Sequence, residues 1–156
     1  MKKIALGGGS FWRVENFFSM IPGVIETEVG YANGNINNPT YEMVCKNDTD
    51  FVETCVITFD ENKVSLETLL DKFWRIIDPI SINKQGNDVG TQYRSGIYYF
   101  DEADLKDIIM SKRNIETFCK NVVVTEVRPV KNYYKAEECH QKYLEKNPDG
   151  YCHIKY

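Results

Sequence analysis

The stretch that decides the fold is Phe51-Val52-Glu53-Thr54-Cys55-Val56-Ile57-Thr58-Phe59-Asp60. Phe51, Glu53, Cys55, Ile57 and Phe59 share one face; Val52, Thr54, Val56, Thr58 and Asp60 share the other. A period of two predicts a β-strand. Just downstream the period changes. Leu66, Leu69, Leu70, Phe73, Trp74 and Ile77 recur at helical spacing behind Ser65, a natural N-cap, and Pro79 lies beyond the end. Upstream the same order of strand, turn and helix recurs. Residues 3–6 predict a short strand, Gly7-Gly8-Gly9 a turn, and Ser10 opens an amphipathic helix that ends before Pro22-Gly23. Its apolar side carries Phe11, Val14, Phe17, Phe18 and Ile21.

The remaining segments complete a plan. Residues 24–31 are β-rich, the Asn-laden stretch up to Pro39 is a loop, and residues 41–45 fit a short helix. Residues 78–95 form a long polar loop, and a loop of that length without structure of its own usually carries function. Residues 96–100 read as a strand and 102–119 as a helix through Leu105, Ile108, Ile109, Ile115 and Phe118. A strand over 122–127, a final helix over 136–145 and a tail from Asn147 follow. Strand, helix, strand, taken twice, predicts an α+β fold, a ferredoxin-like split βαβ sandwich with long loops and a C-terminal helix and tail. With no repeat and no linker, residues 1–156 read as a single domain.

Composition bounds the function. A chain of 156 residues with 42% hydrophobic and 13% aromatic residues buries a real core, which excludes bulk disorder. Lys and Arg total 19 against 23 Asp and Glu, a net charge of −4, which speaks against nucleic acid as a partner. No run approaches the roughly 18 apolar residues of a membrane span, and no secretory signal is evident, so a cytoplasmic location is expected. The five cysteines (Cys45, Cys55, Cys119, Cys139, Cys152) are odd in number and lack a CxxC pair. Neither a disulfide framework nor a metal site is therefore expected.

Several residues carry chemical promise. A helix N-terminus behind three glycines gathers backbone N–H groups and favours negative charge, although a plain tight turn capped by Ser10 accounts for the same residues. Phe11 and Trp12 cannot both face one core, so one ring is expected to line a pocket. Glu53 lies mid-strand among apolar neighbours, where burial would keep it protonated as a general acid; a carboxyl at a sheet rim is the bland alternative. Tyr41, Asp88 and Tyr93 fall in loops rich in Asn and Gly, where exposed tyrosines usually only pack. Of the two histidines, His140 reads as an ordinary helix-face residue, and nothing places either against a serine.

Together the segments resemble the peptide methionine sulfoxide reductase A family along almost the whole chain. The resemblance rests on Gly9-Ser10-Phe11-Trp12, Pro22-Gly23-Val24, Gly30-Tyr31 and Asn38-Pro39-Thr40-Tyr41. It continues in Gln85-Gly86-Asn87-Asp88, Gly90-Thr91-Gln92-Tyr93-Arg94-Ser95 and His140-Gln141-Lys142-Tyr143-Leu144. Lys146-Asn147-Pro148 and Gly150-Tyr151-Cys152 close it.

The resemblance implies a thiol-dependent oxidoreductase for methionine S-sulfoxide, free or in proteins, working without a cofactor. It implies a nucleophile at position 10, a proton-donating Glu53, and Tyr41 and Tyr93 hydrogen-bonded to the sulfoxide oxygen. Asp88 would help organise the site, and Phe11 and Trp12 would hold the substrate methyl group. Attack leaves a sulfenic acid (selenenic where the residue is selenocysteine), which a second thiol must reduce. Relatives carry Cys or selenocysteine at position 10, and here it is Ser10. The chain as written is therefore expected to bind substrate without turning it over. Either Ser10 replaces a thiol or selenol, or the chain is a natural non-catalytic sulfoxide-binding module. Cys152 matches a resolving cysteine, with thioredoxin, glutaredoxin or glutathione as the implied reductant. Phe51 and Ile77 stand where many relatives have histidine.

Overall fold

The structure is a computed structural model that describes residues 1–148. The expected tail motif Gly150-Tyr151-Cys152, with the resolving candidate Cys152, lies outside the described residues. The first half of the chain runs strand Lys2–Gly7 (β1), helix Phe11–Ser19 (α1), strand Val24–Ala32 (β2) and short helix Tyr41–Cys45 (α2). Strand Val52–Phe59 (β3) and helix Leu66–Ile76 (α3) follow. The second half holds a small hairpin of Lys84–Gln85 (β4) and Asp88–Val89 (β5), strand Gly96–Tyr99 (β6) and helix Leu105–Cys119 (α4). Strands Glu126–Pro129 (β7) and Tyr133–Lys135 (β8) and helix Tyr143–Lys146 (α5) complete it.

Among the described residues one six-stranded sheet has the order β7-β6-β1-β3-β2-β8. Its inner four strands are antiparallel throughout, with Leu6 opposite Cys55, Tyr31 opposite Glu53 and Ile4 opposite Tyr99. Strands β1 and β2 therefore run parallel, joined through α1 with β3 between them. Strands β3 and β6 do the same through α3 with β1 between them. This is the split βαβ unit built twice, and the expected α+β, ferredoxin-like fold is the one observed. Strand β7 extends one edge in parallel and β8 the other in antiparallel.

Alternation in β3 decides the layers. Cys55, Ile57 and Phe59 face α1 and α3, packing on Phe11, Val14, Phe18, Leu69, Leu70 and Phe73. Val52 and Val56 face the other side, with Ala5, Tyr98, Val130 and Tyr133. Phe73 is fully buried, and truncating it to Ala would cost about 3–5 kcal/mol. Helix α4 docks on α3, where the Trp74 indole N–H donates to Ser111 Oγ at 2.8 Å. Among the described residues no helix is long and apolar enough to cross a membrane.

Several expectations need correction. The loop over 78–95 has structure of its own, the β4–β5 hairpin and a 3-10 turn at Thr91–Tyr93. The helix expected over 102–119 starts as a 3-10 turn, Glu102–Asp104, and Phe118 is 82% exposed because the helix turns that position away from α3. The strand expected over 122–127 begins only at Glu126. Val122 faces solvent, and Val124 N–H bonds the Pro79 carbonyl instead of a strand. The final helix over 136–145 is broken into a 3-10 turn, Glu138–His140, and α5, because Lys142 sits in the left-handed region at φ +55°. The edge strand β8 has no counterpart in the sequence reading.

Candidate active site

The sheet's antiparallel register gathers one end of several strands. Gly7 at the end of β1 pairs with Gly96 at the start of β6, and Tyr31 near the end of β2 pairs with Glu53 near the start of β3. At this end the chain must turn sharply from β1 into α1. Gly9 takes φ +76°, a left-handed conformation unfavourable for a side-chain-bearing residue. A Cβ on Gly8 would lie 2.5 Å from Ile77 Cγ2, so the residue that follows helix α3 leaves no room for a side chain there. Gly9 N–H donates to the Tyr93 carbonyl at 3.0 Å, which ties the 3-10 turn of the long loop to this bend.

Ser10 caps α1 as expected: it is extended, 6% exposed, and its Oγ accepts the Trp12 N–H at 3.3 Å. The neighbouring first-turn amide has a different acceptor. Phe11 N–H donates to Glu53 Oε1 at 3.2 Å. Glu53 is 1% exposed, and its other oxygen, Oε2, is buried with no hydrogen-bond partner among the described residues. Burial pushes its pKa up to about 8, with the charge of Asp88 adding to the rise and the Phe11 N–H opposing it. Glu53 is therefore a buried, largely protonated acid at neutral pH, not a rim carboxyl.

Two tyrosines share this environment. Tyr41 opens α2, which Thr40 caps through the Met43 N–H at 3.2 Å. Tyr93 closes the 3-10 turn. Both are half-buried, and both hydroxyls are raised in pKa, first by burial and then by the Glu53 charge, so they remain hydrogen-bond donors. Asp88, on β5, lies close enough for its charge to act on Glu53 and Tyr93. Five of the expected groups, Ser10, Glu53, Tyr41, Tyr93 and Asp88, thus surround one helix end.

The aromatic pair divides its work. Phe11 is fully buried, with its ring 5.7 Å from Tyr31 and 6.4 Å from Tyr41. Trp12 is half-buried at the surface, stacked on Tyr143 at 3.9 Å. Its indole N–H donates to His140 Nδ1 at 3.1 Å. His140 is thus no ordinary helix-face residue. Its ring lies 4.4 Å from Tyr41 and 5.7 Å from Trp12, inside the aromatic cluster. Burial lowers its pKa, which keeps Nδ1 free to accept. Glu137 adds a second support: its carboxylate accepts from Tyr31 Oη at 2.9 Å and from the Tyr41 N–H at 3.0 Å.

A thiol was also missed. Cys45, one helical turn after Tyr41, is half-buried beside it, and burial pushes its pKa up; a hydrogen bond with Tyr41 opposes the rise, and Glu53 and Glu137 add to it. It is held as a neutral thiol, the wrong state for a nucleophile. Cys55 is buried in the core, while Cys119 and Cys139 are exposed. No sequence signal separated these roles, since each is a lone cysteine in an unremarkable setting.

The profile of the peptide methionine sulfoxide reductase family matches residues 2–156. Among curated relatives, the peptide methionine sulfoxide reductase MsrA of Clostridium perfringens is 63% identical over 155 residues, covering 99% of each chain. Among solved structures, reduced Mxr1 from Saccharomyces cerevisiae superposes with a TM-score of 0.90 at 39% identity, covering 97% of this chain and 88% of that one. The same yeast protein in complex with Trx2 matches with a TM-score of 0.64 at 30% identity, covering 91% of this chain and 84% of that one.

Proposed function

On the premise that this chain belongs to the peptide methionine sulfoxide reductase family, we propose that its pocket removes the oxygen of methionine S-sulfoxide, free or within a protein. A thiol or selenol at position 10 performs the attack. The observation that carries this reading is the Glu53 carboxyl, buried so that its pKa is pushed up to about 8 and hydrogen-bonded to the amide next to position 10.

Each group then has a role. The attacking thiolate is stabilised at the start of α1 by the helix dipole and forms a bond to the sulfoxide sulfur. Glu53 gives its proton to the sulfoxide oxygen, with Tyr41 and Tyr93 donating hydrogen bonds to it and Asp88 helping to organise the site. The protonated oxygen then moves to the sulfur of residue 10 as the substrate S–O bond and the newly formed bond between the two sulfurs break. The thiol is oxidised to a sulfenic acid, and the substrate sulfur leaves reduced, as a thioether. Trp12 holds the methyl group with Phe11 packed behind it in the aromatic cluster, since a soft sulfur against aromatic rings is a favourable contact. A second thiol then attacks the sulfenic acid, releasing water and forming a disulfide, and a further thiol opens it. Thioredoxin, glutaredoxin or glutathione supplies those thiols in the cytoplasm, directly or through Cys152.

Ser10 has neither the acidity nor the softness for this attack, so the chain as written binds sulfoxide without reducing it. A second reading has one observation in its favour: Ser10 Oγ is a satisfied N-cap, which suits a native serine in a non-catalytic binding module. The two are separated by the Ser10→Cys protein with dithiothreitol and resolved sulfoxide epimers. Reduction of the S epimer alone is expected. No reduction by Ser10→Cys would leave only the binding module.

A further inference from the structure

One half-buried cation outside the ring of groups described above ties together the segments that carry Tyr93 and Glu53. Arg94 follows Tyr93, and its side chain is 14% exposed. Its Nε donates to Glu126 Oε1 at 2.7 Å, Nη1 to the Thr91 carbonyl at 2.9 Å and Nη2 to the Asp50 carbonyl at 2.9 Å. These acceptors belong to three separate segments. Thr91 begins the 3-10 turn that ends at Tyr93. Asp50 stands just before β3, which delivers Glu53 three residues later. Glu126 opens β7, and its carboxylate is itself fixed by Tyr98 Oη at 2.7 Å and by Arg128 at 3.4 Å. Asp50 adopts φ +60°, in the left-handed region that Asp enters more readily than most residues, which turns its carbonyl toward Arg94 at the entrance of β3.

The same turn is tied on its other side, where the Tyr93 carbonyl accepts the Gly9 N–H beside position 10. The turn that presents Tyr93 is therefore bolted both to the nucleophile's bend and, through Arg94, to the strand that presents Glu53.

We propose that Arg94 is a positioning residue: its guanidinium locks the Thr91–Tyr93 turn onto the entrance of β3, so that the Tyr93 hydroxyl and the Glu53 carboxyl reach the same oxygen. This rests on the reading in which both groups act on a sulfoxide oxygen. A planar fork with donors in fixed directions suits three acceptors on three segments, and a lysine ammonium cannot span them. A merely structural arginine would affect stability and every kinetic constant alike. A positioning arginine acts through Tyr93, so its effect disappears once the Tyr93 hydroxyl is gone.

The test has two arms. In the Ser10→Cys protein, single-turnover reduction of methionine sulfoxide is measured for Arg94→Lys, Tyr93→Phe and the double variant. Each single change should slow the step roughly 10- to 100-fold with KM little altered, and the double variant should be no slower than the slower single one. If Arg94→Lys imposes its full factor on Tyr93→Phe as well, the proposal is overturned. In the chain with Ser10, 3-fluorotyrosine is placed at position 93 or, as a control, at 143. Arg94→Lys should shift the fluorine resonance at 93 and leave that at 143 in place; an unmoved resonance at 93 overturns the proposal whatever the kinetics. An inactive Ser10→Cys reference protein would count against the functional reading alone, and the fluorine arm would then decide the role of Arg94. Should Arg94→Lys fail to fold, Glu126→Gln loosens the same clamp from its acceptor side, with the same outcomes read.

Discussion

Helices α1 and α3 lie on the same face of the sheet and begin alike, each behind a serine whose Oγ accepts a first-turn amide. Ser10 takes the Trp12 N–H at 3.3 Å, and Ser65 takes the Thr68 N–H at 3.1 Å. Beyond that cap they diverge. Ser65 is exposed, Glu67 stands in the first turn of α3 and Arg75 in its last, so the charged residues complement the helix dipole. Ser10 is buried, and α1 has neither an acid in its first turn nor a base in its last. Its carboxyl comes instead from β3, in the form of Glu53. A helix dipole favours a carboxylate by only about 0.3–2 kcal/mol, whereas desolvating an ion costs several kcal/mol, so burial wins and the proton stays. One serine cap finishes a helix; the other marks a place where a proton donor meets an attacking atom.

The two helix starts differ most at position 10. Ser10→Cys should raise sulfoxide reduction by about 10³-fold or more over the serine chain, while Ser65→Cys should add nothing in the same dithiothreitol-coupled assay. A matching gain at position 65 would show that the two caps are equivalent. Next in size is the carboxyl. In the Ser10→Cys protein, Glu53→Gln should slow the single-turnover step by about 10²–10⁴-fold, while Glu67→Gln leaves it unchanged. The pH dependence follows from the same group. Glu53 stays protonated in the folded chain up to about pH 8, against an ordinary value of 4.5, so the folded state binds the extra proton across that window. Its contribution to stability is complete below about 4.5 and lost as pH rises through about 8. Urea unfolding at several pH values should show that decline, and Glu53→Gln should flatten it.

Smaller effects sharpen the contrast. His140→Phe removes the acceptor for the Trp12 indole, and a lost hydrogen bond of about 1 kcal/mol should raise KM several-fold with kcat nearly unchanged. Ser65→Ala should cost about 1 kcal/mol of stability by urea titration and leave sulfoxide binding intact.

Much of this architecture is legible in the sequence, for physical reasons that also mark where reading stops. Strand β3 and helix α3 announce themselves because each buries one face, and burial imposes a period. Tyr133–Lys135 does not, because a three-residue edge strand is fixed by pairing with β2 and not by its own pattern. Lys142 breaks the last helix by a left-handed backbone turn that its side chain does not advertise. Glu53 could be singled out as a charge in an apolar row. His140 and Cys45 could not, since their importance comes from rings and carboxyls that only the folded chain brings near. Arg94 was visible as a motif residue, but its three acceptors are scattered from residue 50 to residue 126.

The most direct measurement is the titration of Glu53 itself, followed by carbon-13 NMR of its carboxyl in the chain with Ser10 and no substrate. A midpoint near pH 8, moving only this carboxyl among the glutamates, is the expected result. A midpoint between 4 and 5, the ordinary range of a solvated glutamate, would leave α1 with an ionised neighbour and no proton to give, and would contradict the account.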